Sequence, residues 1–288
     1  MRKTLMYLKG INLVLVLVWF IEGIVVGFGA ILPGISGGTL CVAFGMYRPV
    51  IETISNLKEG LKKHFFMLAV FFLGIAAGFV GLSGVAAWMM EKDTVLITCL
   101  FVGFILGTIP ELWQDAGTKG RSKSSYIAMF IGFAVMLFVL YAFKTELKIT
   151  VAPDFTGYIL CGLLWGLSFI VPGLSSSSLL LFFGLYQPML KGISRLDMSV
   201  LMPMAFGMLG CVLVLSKLVG YAYKKHYAIV SHTVTGIVFA TTVMIVPLQY
   251  ESLLVVIMDV CAVIVGGFMA YKFSCICKSI QERIGNES

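Results

Sequence analysis

Long apolar stretches alternate with short polar or basic segments along the whole chain. A helix needs about 20 mostly apolar residues to cross the hydrocarbon core of a bilayer, so each such stretch predicts a membrane-inserted helix. The pattern predicts an all-α polytopic membrane protein with no separate soluble domain. The stretches lie at about residues 11–32, 65–90, 95–112, 125–143, 199–222, 228–247 and 252–273.

The chain also contains an internal repeat. A shift of 139 residues aligns 23–57 with 162–196, and 14 of the 35 positions are identical. The identities include two motifs, Pro-Gly-x-Ser and Gly-x-Tyr-x-Pro, with the same spacing between them in each copy. They predict two repeats, residues 1–143 and 144–288, each made of a hairpin and about three transmembrane helices. The hairpins are expected at about 11–50 and 155–190.

The distribution of Lys and Arg predicts how the repeats are oriented. If each hairpin starts and ends on one side and the N-terminus is cytoplasmic, 16 of these residues lie inside and 5 outside. A model in which each copy crosses once gives 12 inside and 9 outside. The positive-inside rule favours the first count. The five residues placed outside are Lys92, Lys144, Lys148, Lys191 and Arg195.

Under this count three spans separate the two hairpins, so the repeats are inverted and both termini are cytoplasmic. Residues 35–50 would reach only about 24 Å as a helix, too short to cross. We therefore expect re-entrant hairpins, which would bring both Pro-Gly-Ser turns to the membrane midplane. Fully crossing hairpins remain the alternative, with the turns on opposite surfaces.

The two turns are candidate phosphate-binding sites. Pro and Gly interrupt each hairpin, and the small residues that follow begin a new helix whose first N–H groups lack helical partners. The positive end of the helix dipole and nearby hydroxyls suit an anion, although close helix packing by small residues is the alternative explanation. The candidate ligands are Gly34, Ser36, Gly37, Gly38 and Thr39 in the first copy, and Gly173, Ser175, Ser176, Ser177 and Ser178 in the second.

A few ionisable residues are further candidates. Glu22 and Asp259 lie inside apolar stretches, where a charged carboxyl group is costly. Each is therefore either satisfied by an interhelical hydrogen bond, or protonated, or used for a task such as coupling to a proton or sodium gradient. Arg48, inside the first Gly-x-Tyr-x-Pro motif, and Arg195, after the second, lie near the hairpin ends, where they would contact a lipid phosphate or simply set the topology. The candidate interfacial anchors are Tyr47, Tyr186, Trp19, Trp88, Trp113 and Trp165.

Composition narrows the class of protein. The chain is 59% hydrophobic and 12% charged, which excludes an ordinary soluble domain. The net charge of +7 comes from short clusters between apolar runs, so nucleic-acid binding is not expected. Five of the seven cysteines lie in apolar runs as packing residues, and Cys275 and Cys277 lack a second ligand pair, so neither a disulfide framework nor a metal site is expected. The basic N-terminus resembles a signal peptide, but its apolar run leads into the repeat, so we expect it to be retained.

At these motifs the chain resembles the polyprenyl-phosphate transporter family of bacterial membrane proteins. The likeness rests on Pro33–Thr39 and Pro172–Ser177 and extends through Gly45–Tyr47, Gly103–Pro110 and Gly184–Tyr186. It implies a flippase of the bacterial inner membrane that returns undecaprenyl phosphate from the outer to the inner leaflet for cell-wall polymer synthesis. The partners implied are this lipid and the surrounding membrane lipids, with a homo-oligomer as a further candidate.

The chain departs from the family pattern at two positions. Many members have Asp three residues before the first Pro-Gly, where this chain has Ala30, and Gly in the second motif, where it has Ser176. No role for that Asp is carried over to this chain.

Two other functions compete with lipid transport. A small-anion transporter or channel would also use helix N-termini. A lipid phosphatase would need a His near the turns, whereas His64, His226 and His232 fall on the predicted cytoplasmic side. We therefore expect a transporter without catalytic residues or a bound cofactor.

Overall fold

A computed structural model describes residues 13–33, 40–41, 44, 46, 49–50, 53, 57–145, 151–171, 174–247 and 252–286. All regular secondary structure in these residues is helical. The helices are α1 (Leu13–Ile31), α2 (Leu57–Lys92), α3 (Thr94–Ala116), α4 (Lys123–Thr145), α5 (Phe155–Ile170), α6 (Ser176–Phe182), α7 (Tyr186–Ser194), α8 (Met198–Ile245) and α9 (Leu253–Asn286).

Six of these helices are long and apolar enough to cross a membrane, which confirms the predicted multi-pass α-helical architecture. They are α1, α2, α3, α4, α8 and α9. Helix α8 has 48 residues, and a straight helix of that length would extend about 72 Å, far more than one crossing needs. It is interrupted at His226, which has non-helical dihedral angles of φ −136° and ψ 45°. The two parts, α8a (198–225) and α8b (227–245), correspond to two of the apolar stretches in the sequence.

The chain forms two compact units. One contains α1, α2 up to Leu82 and the chain from Cys275 onward, and the other contains Ser83–Ser274 with Leu32–Ile35. These units differ in kind from the sequence repeats, so the division of the chain into two repeats at residue 143 stays a prediction.

In the first unit, glycines bring α1 and α2 into close contact. A Cβ atom on Gly23 would overlap the main-chain oxygen of Phe71, and one on Gly27 would overlap that of Ile75. The contacts advance along both helices together, so α1 and α2 run parallel. Small residues at such a crossing let two backbones approach closely, which favours helix association in a membrane.

In the second unit, α5 packs against α8a in the same way. A Cβ atom on Gly162 would overlap the main-chain oxygen of Met204, and one on Gly166 would approach Met208 and Cys211. These two helices are also parallel. Because Gly162 and Gly166 are the repeat partners of Gly23 and Gly27, the matched glycines pack against the next long helix in both copies.

Two further glycine contacts organise the second unit. Helices α3 and α9 run parallel, with Gly103 against the main-chain oxygen of Val263 and Gly266 against that of Leu100. Helix α8b runs antiparallel to α4, because a Cβ on Gly236 would meet Met129 whereas one on Gly132 would meet Thr233. The two parts of α8 therefore pack against different neighbours.

Candidate functional site

The second Pro-Gly-Ser segment interrupts the helical chain at the expected place. Helix α5 ends at Ile170, and the extended Val171 (φ −111°, ψ 100°) donates its N–H to the carbonyl of Leu167 at 2.8 Å. Pro172 and Gly173 lie outside the described residues. The chain is helical again from Ser176, after the extended Ser175.

Hydroxyl groups surround the start of α6. Ser176, Ser177 and Ser178 are 8%, 4% and 0% exposed, so these three predicted ligands lie inside the protein, whereas Ser175 is half-buried. Ser178 donates to the hydroxyl oxygen of Ser175 at 3.2 Å, and Ser175 caps no main-chain N–H with its side chain. A first helical turn has N–H groups without helical partners, and here the adjacent side chains are hydroxyls.

Ser168, which the sequence analysis did not single out, adds a polar group near this turn. Its hydroxyl oxygen is buried and has no hydrogen-bond partner among the described residues. It lies one helical turn before the break at Val171. A buried hydroxyl without a partner is costly, so such groups often mark a functional place in a protein.

The chain then returns toward the start of α5. Gly184, with φ +70°, makes the turn between α6 and α7, a conformation that glycine adopts without strain. The side chain of Leu185 lies in ordinary contact with the position of a Cβ on Gly157, in the first turn of α5. Leu181 and Phe182 pack against a buried cluster of Val102, Ile105, Val238 and Ile245.

Tyr186 is a packing residue, and its expected role as an interfacial anchor is wrong. It is 1% exposed, and its ring meets that of Phe101 edge to face with centroids 5.7 Å apart. Burial of this aromatic ring fixes α7 against α3.

The first turn is only partly described. Helix α1 ends at Ile31, and the following Leu32 and Pro33 are buried. The predicted ligands Gly34, Ser36, Gly37, Gly38 and Thr39, and Arg48, lie outside the described residues. The proposed partnership of the two turns therefore stays a prediction. Arg195 is described and is exposed at the end of α7.

Both intramembrane carboxyl groups have one buried oxygen without a hydrogen-bond partner among the described residues. These atoms are Oε2 of Glu22 and Oδ2 of Asp259. Glu22 lies one residue before the Gly23 contact with α2 and is half-buried. Asp259 is 3% exposed on α9. Among the described residues, neither carboxyl group therefore has hydrogen-bond partners for both of its oxygens.

The sequence model of a protein family described as undecaprenyl phosphate translocase-like matches residues 6–126 and 116–262 of the chain. The chain belongs to this family.

Two curated relatives of this chain carry the name polyprenyl-phosphate transporter. One, from Vibrio cholerae serotype O1, is 22% identical over 236 residues, which cover 77% of this chain and 75% of the relative. Another, from Staphylococcus aureus, is 22% identical over 237 residues, covering 76% of this chain and 84% of the relative. No solved structure gives a significant match.

Charged side chains gather at the two ends of α3. At its start, Lys191 on α7 pairs with Glu91 at 2.6 Å, and Lys92 and Arg195 interact with the same carboxylate. At its far end, about 33 Å away along the helix, the ammonium group of Lys119 lies over the ring of Tyr227 at the start of α8b. The membrane surface on which Lys92, Lys191 and Arg195 lie stays a prediction.

Proposed function

We propose that this protein is a flippase that returns undecaprenyl phosphate, or a related polyprenyl phosphate, from the outer to the inner leaflet of the bacterial inner membrane. Family membership and the printed names of both relatives support this substrate class. The returned carrier would serve cell-wall polymer synthesis, and the protein would act as a transporter rather than an enzyme.

The observation that carries the proposal is the serine-rich start of α6, which is buried within an apolar helical unit. Ser176, Ser177 and Ser178 are buried there, and Ser175 leaves the first-turn N–H groups uncapped by its side chain. Main-chain N–H groups and hydroxyls bind a phosphate without the cost of burying a full positive charge. A small-anion transporter could use the same groups, so the lipid is identified by the family, not by the turn alone.

A re-entrant path for the second hairpin fits the packing of its helices. The hairpin starts at α5 and comes back beside it, because Leu185 contacts the first turn of α5 at Gly157. The end of α6 packs against the buried cluster that includes Val102 and Ile105, near the middle of α3. A turn at that depth would lie away from both membrane surfaces, where irregular backbone needs a protein or aqueous environment.

The first turn would supply the other half of the site. The matched glycines pack in the same way in both copies, which supports two equivalent structural repeats. If the copies are inverted as the charge distribution predicts, their turns would face one another near the midplane. Arg48 and Arg195 would then contact the lipid phosphate as it enters or leaves at the surfaces.

Coupling to a proton or sodium gradient would need a carboxyl group within the membrane, and Glu22 and Asp259 are the candidates. Each has a buried oxygen without a partner in the described residues. Such an atom is available to bind a proton or cation during the transport cycle.

The test is transport of labelled undecaprenyl phosphate between leaflets of vesicles that contain the purified protein. Replacing Ser175 by Ala removes one hydroxyl but leaves the main-chain N–H groups, so we expect a loss of about 10- to 100-fold in affinity. Ser36→Ala should behave alike, and Gly37→Val should abolish transport by blocking close approach of the phosphate. Ser194→Ala is the matched control, because its hydroxyl donates to the carbonyl of Lys191 on its own helix at 2.9 Å.

Three results would each contradict part of the proposal. Vesicles that move inorganic anions but not the lipid would favour the small-anion transporter. Hydrolysis of the phosphate would favour the phosphatase. Normal transport by folded Ser36→Ala, Ser175→Ala and Gly37→Val variants would exclude the shared phosphate site.

A further inference from the structure

A basic pocket lies at the end of the second unit where α3, α4 and the break in α8 meet. Its cavity volume is about 310 Å³, close to the lower limit for small-ligand sites in proteins. Lys119, Lys224 and Lys225 line it together with Ser122, Ser125 and His226. None of the described residues that line it is Asp or Glu, so its walls carry a net positive charge.

Aromatic rings contact the ammonium groups of two of these lysines, Lys119 and Lys225. Lys119 lies 4.8 Å from the ring centroid of Tyr227, and Lys225 lies 5.6 Å from that of Tyr221. The Lys225 ammonium also donates to the Tyr221 hydroxyl at 3.2 Å. Contact with an aromatic face orients a cation but leaves its charge available.

Arg121, by contrast, is used within the structure. Its guanidinium donates to the main-chain oxygen of Trp113 at 2.8 Å and lies 4.9 Å from the Trp113 ring centroid. This contact fastens the short connection between α3 and α4. The connection in turn brings Lys119 to Tyr227, whose hydroxyl donates to the main-chain oxygen of Asp115 at 3.3 Å.

Two helix starts border the same cavity. Helix α4 starts directly after Ser122, whose hydroxyl accepts from the main-chain N–H of Ser125 at 3.3 Å. Helix α8b starts after the break at His226, and its first residues line the pocket. The C-terminal ends of α3 and α8a lie at the same place, and their negative dipole ends oppose the positive ends of α4 and α8b, so the positive charge of the pocket comes from its lysines.

The location and size of the pocket point to the headgroup of a lipid. Four apolar helical segments (α3, α4, α8a and α8b) end or start here, so the pocket lies at a membrane surface. Basic pockets between transmembrane helices at that level suit phosphate headgroups. The volume accommodates a headgroup but not a long hydrocarbon chain, which would stay in the bilayer.

We propose that this pocket binds the phosphate monoester headgroup of a membrane lipid. A monoester carries nearly two negative charges at neutral pH and a phosphodiester carries one, so a pocket lined by three lysines, and by no Asp or Glu among the described residues, favours the monoester. The proposal does not rest on the proposed transport function, because it concerns binding at the membrane surface and not passage across the bilayer. Polyprenyl phosphates and phosphatidic acid both have this chemistry.

The experiment is calorimetric titration of the full-length protein in a non-ionic detergent. The probes are dioctanoyl phosphatidic acid, dioctanoyl phosphatidylglycerol and inorganic phosphate. We expect phosphatidic acid to bind more tightly than the other two. The triple variant Lys119→Gln, Lys224→Gln, Lys225→Gln should lose at least about tenfold in affinity for it.

Two further variants separate the pocket from general surface charge. Lys217→Gln removes one positive charge from α8a, two turns before the pocket, and should leave binding within about twofold of wild type. Ala228→Phe fills the cavity without a change in charge and should abolish binding. The substitution leaves the main-chain oxygen of residue 228 unaltered, and the Nδ1 atom of His232 contacts this oxygen at 2.6 Å. Size-exclusion profile and helical circular dichroism establish that each variant is folded.

Several results would overturn the proposal. Unchanged binding of phosphatidic acid to the folded triple variant or to folded Ala228→Phe would exclude the pocket. Equal affinity for phosphatidylglycerol would exclude selectivity for a monoester, and equal affinity for inorganic phosphate would assign the site to the free ion. In a further titration, a polyprenyl phosphate that binds the wild type but not the same variants would be identified as a ligand of the pocket.

Discussion

The ammonium nitrogen of Lys191 lies 2.6 Å from Oε1 of Glu91 and so joins α7 to the last turn of α2. These residues are 100 positions apart. The ion pair is about half exposed, so its contribution to stability is small. Its value lies in what it reveals about topology, because it brings Lys92, Lys191 and Arg195 to one end of α3 and leaves Lys119 at the other.

We predict that the end with Lys191 is external and the end with Lys119 is cytoplasmic, because the larger number of Lys and Arg residues belongs inside. A membrane-impermeant maleimide should label Arg195→Cys in intact cells and Lys119→Cys only after permeabilisation. The wild-type protein sets the background, since Cys261 and Cys275 are exposed. The reverse labelling pattern would invert the topology.

Helix α5 should tolerate no side chain at Gly162. A methyl group there would overlap the main-chain oxygen of Met204, so Gly162→Ala should lower the free energy of unfolding by about 1–3 kcal/mol. The control is Gly210→Ala on α8, where nothing lies within 4 Å of the added Cβ. That variant should be neutral or more stable by up to about 1 kcal/mol. Unfolding in mixed detergent measures both, and equal effects would contradict the glycine contact.

The start of α8 should lose stability in acid. Asp197 accepts hydrogen bonds from the hydroxyl and the N–H of Ser199, and the hydroxyl bond, followed by the N–H bond, lowers its pKa below the ordinary 3.8. Because the folded-state pKa is lowered, the ionised carboxylate stabilises the fold above pH 3.8, and this stabilisation is lost as pH falls through the lower value. Asp197→Asn keeps a side-chain oxygen that accepts these hydrogen bonds but removes the group that titrates.

Amide exchange at Ser199 as a function of pH measures this effect. After correction for intrinsic exchange, protection in the wild type should fall below pH 3.8 toward that of Asp197→Asn, which should change less. A wild type and variant that respond equally to acid would show that the Asp197 carboxylate is not responsible.

Glu22→Gln should weaken transport, or shift its pH dependence, more than Asp259→Asn. Glu22 lies on α1, the helix that leads into the first Pro-Gly-Ser turn, whereas Asp259 lies on α9. Both changes preserve shape and remove the titrating group. Transport rates in vesicles over a range of pH provide the measurement. An unchanged rate and pH profile for folded Glu22→Gln would remove this residue from the coupling mechanism.

Much of the local architecture could be predicted from the sequence. Apolar stretches at 199–222 and 228–247 predicted two segments, and α8 is indeed broken between them at His226. The second Pro-Gly-Ser motif predicted an interruption, and α5 ends one residue before Val171. These features depend on neighbouring residues, through hydropathy, the missing N–H of proline and the rotational freedom of glycine, so they can be read along the chain.

The sequence by itself determined the membrane class, the repeat and the positions of the helix breaks, because each depends on local composition or on the comparison of two stretches. Only the tertiary structure decided which distant side chains meet. It buried Tyr186 against Phe101, where the sequence indicated a surface anchor, and it brought Lys119 to Tyr227 across more than a hundred residues. The reason is that a residue's hydropathy states whether it can be buried, whereas its partner depends on helix direction and rotation. Those are set by glycine contacts such as Gly236 with Met129, whose register no single stretch of sequence contains.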